Sequence, residues 1–182
     1  MTRIGLGFRA GRGGSVVVGV AVDGGEPLVV LSTFLATAAE GRKRQGRMAA
    51  NGLNAIVRAL QKSRCKPVVA ALLVNRAGWI TDLLEYSLFA PEHPPVAEGL
   101  AVRDALRFAL DRNGIKVVEM DEKSLQEVAS RALRLSIADI DIRLKGLGAT
   151  AGKPWRKEQK LACLSAWLAV RVRHDRRRLV TA

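Results

Sequence analysis

Residues 4–35 read IGLGFRAGRGGSVVVGVAVDGGEPLVVLSTFL, and this stretch decides the fold. Glycine-containing turns divide it into three apolar segments, at residues 4–8, 15–22 and 27–35. Short apolar segments separated by such turns are typical of β-strands joined as hairpins. The stretch therefore predicts a three-stranded antiparallel meander at the start of the chain.

The charge of the chain indicates the kind of partner it has. Its 182 residues include 30 Lys and Arg against 17 Asp and Glu, giving a formal net charge of +13 and a pI near 10.8. Such an excess produces long-range, salt-dependent attraction to polyanions, so we predict a nucleic-acid partner, either DNA or RNA. The Arg, Ala, Gly and Val richness would also follow from a GC-rich genome, and this alternative stays open.

Length and composition set further limits. The chain fits one domain over residues 1–182, with a basic C-terminal tail at residues 171–182 that we expect to fray. No uninterrupted apolar run approaches the ~20 residues of a membrane-spanning helix, so we expect a cytoplasmic protein with no membrane partner. Cys65 and Cys163 form no CxxC pair, which argues against a zinc site or a disulfide framework. We therefore expect no cofactor.

Beyond the meander, helical and strand patterns alternate. Apolar residues at helical spacing predict helices, and a continuous apolar run predicts a strand buried on both faces. The predicted elements are one long or two short helices at 38–62, a strand at 68–74, a short helix at 79–88, a Pro-rich loop at 91–95, a helix at 96–113, a strand at 115–120, a helix at 122–135 capped by Asp121, a Gly-rich basic loop at 136–153 and a last helix from Pro154 to about residue 172. A meander continued by two parallel strands through helical crossovers is the element order of a ribonuclease H-like α/β fold.

Two segments carry a resemblance to a known superfamily. They are the opening Ile4-Gly5-Leu6-Gly7-Phe8-Arg9-Ala10-Gly11 and the stretch from Gly146-Leu147-Gly148 through Lys157-Glu158-Gln159-Lys160. Together with the element order, they make the chain similar to a divergent member of the ribonuclease H-like superfamily, in particular to the RuvC-type Holliday-junction resolvases. The resemblance covers most of the chain and implies an α/β fold that binds nucleic acid.

The resemblance also implies where catalytic acids would stand. Resolvases of this type carry an Asp on the first strand, a Glu at the end of the strand after the first helix, and further acids in the late helices, which hold divalent metal ions. The matching places here are Gly7 or Phe8, then residues 73–75, then residues 161–166, and none of them is acidic. If residues 157–159 instead match an earlier resolvase segment, the acid-bearing helix falls beyond residue 182. Since two-metal hydrolysis of a phosphodiester needs a carboxylate cage, we predict that nuclease chemistry has been lost and name no catalytic residue.

Basic residues form the predicted nucleic-acid site. The carboxyl ends of parallel strands, where α/β folds place ligands, would present two arginines, and two helix starts add further cations. The predicted site residues are Arg9 and Arg12, then Arg42, Lys43 and Arg44, and finally Lys153, Arg156, Lys157 and Lys160. Aromatic residues other than Trp155 fit core or crossover positions, so we expect contact with the backbone of a duplex or junction rather than base stacking.

Two other functions remain open from the sequence. The chain could be a homodimeric interaction module that associates through its apolar hairpin edges or through residues 79–89. It could also be a metal-dependent nuclease with a different acidic site. The weak metal-ligand candidates for that site are Glu119 and Asp121, with Asp139 and Asp141 as further acids. The ordinary interpretation of Glu119 is an acid at a strand end, and that of Asp121 is a helix cap.

Overall fold

The computed structural model describes residues 1–37, 42–74 and 94–180, and the side chains at 1–37, 43–74 and 99–172. The predicted short helix at 79–88 and residues 91–93 of the predicted Pro-rich loop lie outside the described residues.

The first three strands form the predicted antiparallel meander. They are β1 (Thr2–Gly11), β2 (Gly14–Asp23) and β3 (Glu26–Ala36). Two residues make each turn, and in the second turn Gly24 and Gly25 both have positive φ angles, of 57° and 95°. Residues with a Cβ atom rarely adopt positive φ angles, so the two glycines permit a turn this short.

Two parallel strands extend the meander beyond β1. Helix α1 (Arg42–Lys62) leads into β4 (Cys65–Val74), which pairs with β1 in parallel. Helix α2 (Pro94–Arg112) leads into β5 (Val117–Asp121), which pairs in parallel with β4. The strand order is β3-β2-β1-β4-β5, which confirms the predicted fold class and places β1 at the centre of the sheet.

The start of α2 corrects one sequence prediction. Pro94 and Pro95 were expected in a loop, but they form the first turn of this helix. Proline is tolerated there because the first N–H groups of a helix have no intrahelical acceptor, so its missing N–H costs no hydrogen bond.

Helices cover both faces of the sheet. On one face α1 and α2 pack against the fully buried side chains of Ile4, Leu6 and Phe8. On the other face the last helix, α5 (Lys157–Val180), lies directly on β1. A Cβ atom added to Gly5 would lie 2.5 Å from the carbonyl oxygen of Ala166. The alternating glycines of the opening stretch therefore allow the helix backbone to contact the strand backbone.

Helices α3 (Leu125–Leu133) and α4 (Ile137–Ala151) pack beside α5. The predicted loop at 136–153 was wrong, because most of it is α4. Ser136 caps this helix by accepting the Asp139 backbone N–H at 3.0 Å, and Ile140 and Leu144 are buried at helical spacing. The Ser136 cap and the helical spacing of the buried apolar residues outweigh the low helix propensity of the two glycines at 146 and 148. The segment predicted as a Gly-rich basic loop is thus helical over Ile137–Ala151.

Helices α3 and α5 each begin three residues later than predicted. Asp121 accepts hydrogen bonds from the Lys123 backbone N–H and the Ser124 hydroxyl, which holds a turn before α3. Before α5, the side chain of Gln159 accepts the backbone N–H of Arg156 at 3.0 Å. The backbone of α5 continues to Val180, past the expected end near residue 172, while fraying at residues 171–182 stays a prediction.

None of the helices in the described ranges is long and apolar enough to cross a membrane.

Candidate nucleic-acid interface

The candidate site lies where the parallel strands end. Strands β1, β4 and β5 run in the same direction, so their last residues meet at one edge of the sheet, which we call the carboxyl edge. Helix α5 runs back along β1, since Gly7 faces Ala162 and Gly5 faces Ala166 one turn later. The first turn of α5 therefore also lies at the carboxyl edge.

Arg9, near the end of β1, joins two carboxylates at this edge. Its guanidinium donates to both carboxylate oxygens of Glu122, at 3.2 and 3.1 Å. Its third nitrogen lies 3.7 Å from Glu158, in the first turn of α5. The side chains of Arg9 and Glu122 are each 24% exposed, so the pair is partly shielded from water. Arg9, which the sequence predicts to bind nucleic acid, is thus already paired with two acids.

Two arginines of α2 approach the same cluster. Arg107 donates to Glu119 at 2.6 Å and to Asp104 at 2.7 Å, and the hydrogen bond to Glu119 is the main cause of its raised pKa. Burial, followed by the positive charge of Arg107, lowers the pKa of Arg103. The Nε atom of Arg103 is buried and has no hydrogen-bond partner among the described residues. We call Arg9, Arg103 and Arg107 with their acidic partners the arginine cluster.

The place of a first-strand acid is closed by α5. A Cβ atom on Gly7 would overlap the carbonyl oxygen of Ala162 and lie 2.7 Å from the hydroxyl oxygen of Ser165. Phe8 points into the opposite core and is fully buried. On β4, Leu73 and Val74 are buried apolar residues, and position 75 lies outside the described residues. None of the matching described positions therefore carries a carboxylate.

The four acids of the nuclease alternative lie in separate local interactions. Glu119 pairs with Arg107, and Asp121 holds the turn before α3. Asp139 accepts the hydroxyl of Ser136 at 2.6 Å, whereas Asp141 accepts the amide of Gln126 at 3.3 Å. Within the described ranges, no three His, Cys, Asp or Glu side chains come together as a metal site. These four acids therefore do not form a shared metal site.

Three lysines line a cavity beside the arginine cluster. It has a volume of about 480 Å³ and lies between the turn after β5 and helices α3, α4 and α5. The predicted residues Lys157 and Lys160 line it together with Lys123, and we call it the lysine cavity. Its other lining residues are Glu122, Gln126, Asp141, Leu144, Leu161 and Leu164. Lys153 and Arg156 are exposed in the segment just before α5.

The cations at the start of α1 divide between two surfaces. Lys43 lines a groove between α1 and α2 with a volume of about 530 Å³, which we call the α1–α2 groove. Arg44 instead lines a second groove, between α1 and β3. The side chain of Arg42 lies outside the described residues, and Arg12 is exposed in the turn between β1 and β2.

Sequence reasoning missed several residues of these surfaces. Lys123, Arg103 and Arg107 are brought in by α2 and by the turn after β5, and no sequence motif marks them. Phe108 was expected in the core but is 46% exposed. Its position on α2 could have shown this, because the buried Leu106 and Leu110 are four residues apart and Phe108 falls between them, on the opposite side of the helix.

Three solved structures resemble the chain over most of its length. RuvC of Thermus thermophilus is 12% identical with a TM-score of 0.61, covering 94% of this chain and 96% of that one. The same protein in complex with a Holliday junction substrate is 12% identical with a TM-score of 0.62, covering 94% and 95%. The yeast mitochondrial Holliday junction resolvase Ydc2 is 11% identical with a TM-score of 0.52, covering 95% and 83%.

No protein-family model and no curated protein sequence matches the chain. Structural likeness at 11–12% identity establishes the fold and leaves the activity open. The mixed five-stranded sheet with a central β1 is the same architecture that the element order predicted. The chain therefore has the ribonuclease H-like fold of the RuvC-type proteins.

Proposed function

We propose that the protein binds nucleic acid along the carboxyl edge of its sheet and does not cleave it. The observation that carries this proposal is Arg9, whose guanidinium lies between the carboxylates of Glu122 and Glu158 at the end of the central strand. The positive charge of this guanidinium reduces the repulsion that the two acids would otherwise exert on a phosphate backbone.

Cations around this edge support the binding half of the proposal. Lys123, Lys157 and Lys160 share one cavity, and Lys153 and Arg156 precede it in the chain. Each phosphate neutralised by such a cation releases a bound counterion, which favours association at low salt. Further contacts proposed on this basis are those of Arg12, Arg42, Lys43 and Arg44. The RuvC structure solved with a Holliday junction substrate makes branched DNA the first probe to use.

The donor set around β1 supports the non-cleaving half. In an active resolvase, β1 and the helix that covers it would carry acids facing each other. Here Gly7 on β1 faces Ala162 and Ser165 on α5, and none of the three is acidic. Glu122 and Glu158 both contact Arg9, whose single positive charge offsets one of their two negative charges. Hydrolysis by two metal ions needs several uncompensated carboxylates around ions ~3.5–4 Å apart.

A cleavage assay on a four-way DNA junction and a matched duplex tests the proposal. The protein is incubated with each substrate and with Mg²⁺ or Mn²⁺, while an active resolvase in a parallel reaction shows that the junction can be cut. We expect a retarded complex and intact strands. Metal-dependent cleavage that Asp121→Asn abolishes would instead establish the nuclease alternative, and no complex at low salt would refute binding.

A second candidate function is self-association through β3. This strand forms an outer edge of the sheet and exposes Leu28 and Phe34, at 50% and 55%. Unpaired edge strands with exposed apolar side chains favour pairing with another chain. Light scattering at low and high salt tests this role, since an oligomer held by β-pairing and apolar contact persists at high salt. A monomer at all protein concentrations would exclude it.

A further inference from the structure

Phe108 lies in the α1–α2 groove, away from the cores of the protein. Its ring packs against Gly46 in the second turn of α1, where an added Cβ would lie 3.1 Å from the ring. The side chain remains 46% exposed, so one part of the ring contacts α1 and the rest faces the groove. Ala101 and Ala105 line the groove on the same helix and leave space beside the ring.

Cations surround this apolar floor. Lys43 and Arg47 line the groove from α1, and Arg112 lines it from α2. Among the described lining residues Asp104 is the one acid, and its carboxylate accepts a hydrogen bond from Arg107 at 2.7 Å. The groove therefore combines an exposed aromatic ring with a positive rim, which matches the flat face and the anionic backbone of a nucleotide.

The groove also adjoins the proposed interface. Asp104 connects it to Arg107, which in turn pairs with Glu119 on β5. A nucleic-acid strand that follows the arginine cluster can thus continue into the groove along the same helix. The volume of about 530 Å³ falls in the range of roughly 300–1,000 Å³ that holds small ligands.

We propose that the α1–α2 groove holds one unpaired nucleobase, stacked on Phe108, while Lys43, Arg47 and Arg112 bind the adjoining phosphates. This inference rests on the proposed nucleic-acid function and adds the class of substrate. The protein should prefer nucleic acid with an unpaired segment, such as a single strand or an opened branch, over a fully paired duplex. It also revises the sequence-based expectation of backbone contact alone.

The test compares two single-stranded probes of equal charge. One is a 12-nucleotide oligothymidylate, and the other has the same backbone with abasic sites in place of the bases. Affinities are measured for the wild type, for Phe108→Leu, which keeps an apolar side chain but removes the aromatic face, and for Val128→Ala as the control. Val128 is a similarly exposed apolar residue on α3, at 43%, outside this groove.

Stacking of one base on an aromatic side chain corresponds to roughly 5- to 150-fold in affinity. We therefore expect Phe108→Leu to lose at least about fivefold in affinity for oligothymidylate and less than twofold for the abasic probe. Val128→Ala should match the wild type on both probes. A 2-aminopurine at one position should be quenched by the wild type and recover in Phe108→Leu.

Three results would overturn the inference. Equal wild-type affinity for the two probes would show that no base is held, and an equal loss on both probes would give Phe108 a structural role only. A shift of Phe108→Leu from oligomer to monomer in light scattering would assign the groove to a second copy of the chain. If duplex and junction still bind while these results appear, only this inference fails. Absence of binding to every probe would refute the proposed function itself.

Discussion

Replacing Gly7 with alanine tests whether α5 fills the space in front of the central strand. The added Cβ would overlap the carbonyl oxygen of Ala162 and lie 2.7 Å from the Ser165 hydroxyl, where ordinary contacts begin near 3.4 Å. The distance from the added Cβ to the Ser165 hydroxyl must lengthen by about 0.7 Å. Because the Ala162 carbonyl belongs to the backbone, no rotamer change relieves its overlap with the added Cβ. The helix must therefore move away from the strand.

Overpacking of a well-packed core costs about 1–3 kcal/mol, and occasionally more. Because backbone meets backbone here, we expect Gly7→Ala to lower the free energy of unfolding by at least about 3 kcal/mol. For a chain of this length that corresponds to a fall in Tm of roughly 6–12 °C. Gly11→Ala is the matched control, since an added Cβ there meets no described atom within 4 Å. Urea unfolding followed by circular dichroism measures both variants.

The reasoning would be refuted if Gly7→Ala unfolded within about 1 kcal/mol of Gly11→Ala, well below the expected overpacking cost. Such a result would mean that α5 does not press on β1 and that the strand has room for a side chain. The account also predicts that Gly7→Asp is at least as destabilised as Gly7→Ala. Restoring a single acid should then not restore cleavage.

Three further predictions concern stability and reactivity. The half-buried pair of Arg9 and Glu122 should show a coupling of about 1–2 kcal/mol in a double-mutant cycle with Arg9→Gln and Glu122→Gln, and additive single effects would contradict it. Ser136→Ala should cost about 1 kcal/mol in urea unfolding because its hydroxyl caps α4, whereas Ser124→Ala should cost less because it makes no side-chain cap bond to the backbone; equal losses would contradict this difference. Burial raises the pKa of the Cys163 thiol from 9.0 to about 12, so the folded state retains a proton that the unfolded chain loses. This contribution to stability should be complete below pH 9 and decline between pH 9 and about 12 relative to Cys163→Ala, which urea unfolding at several pH values would measure; parallel pH profiles would contradict it.

The fold was predictable because its signals are local. Glycine turns and apolar segments within residues 4–35 specify the meander, and the continuous apolar run in β4 marks a strand covered on both faces. Gly146 and Gly148 predict a loop, but the serine cap and the spacing of Ile140 and Leu144 specify a helix over residues 137–151. The packing of this segment against α5 buries Ile140 and Leu144 and thereby stabilises the helix.

The site was less predictable because its contacts join distant parts of the chain. Arg9 and Glu122 are 113 positions apart, and no local pattern relates them. The sequence did indicate the helix start that supplies Lys157 and Lys160, but the turn that adds Lys123 depends on where β5 ends. Basic residues are readily counted in a sequence, whereas the acids that neutralise them emerge only from the packing.

The central claim, binding through the carboxyl edge, is tested most directly by a salt titration of junction binding with two triple variants. The edge variant is Lys123→Ala/Lys157→Ala/Lys160→Ala, which empties the lysine cavity of its cations. The control variant, Arg58→Ala/Lys62→Ala/Lys66→Ala, removes the same charge from exposed positions near the end of α1 and the start of β4, at the opposite edge. We predict that log Kd rises linearly with log salt for the wild type and the control, and that the slope falls by about 2–3 in the edge variant. Equal slopes for the two variants would contradict the account.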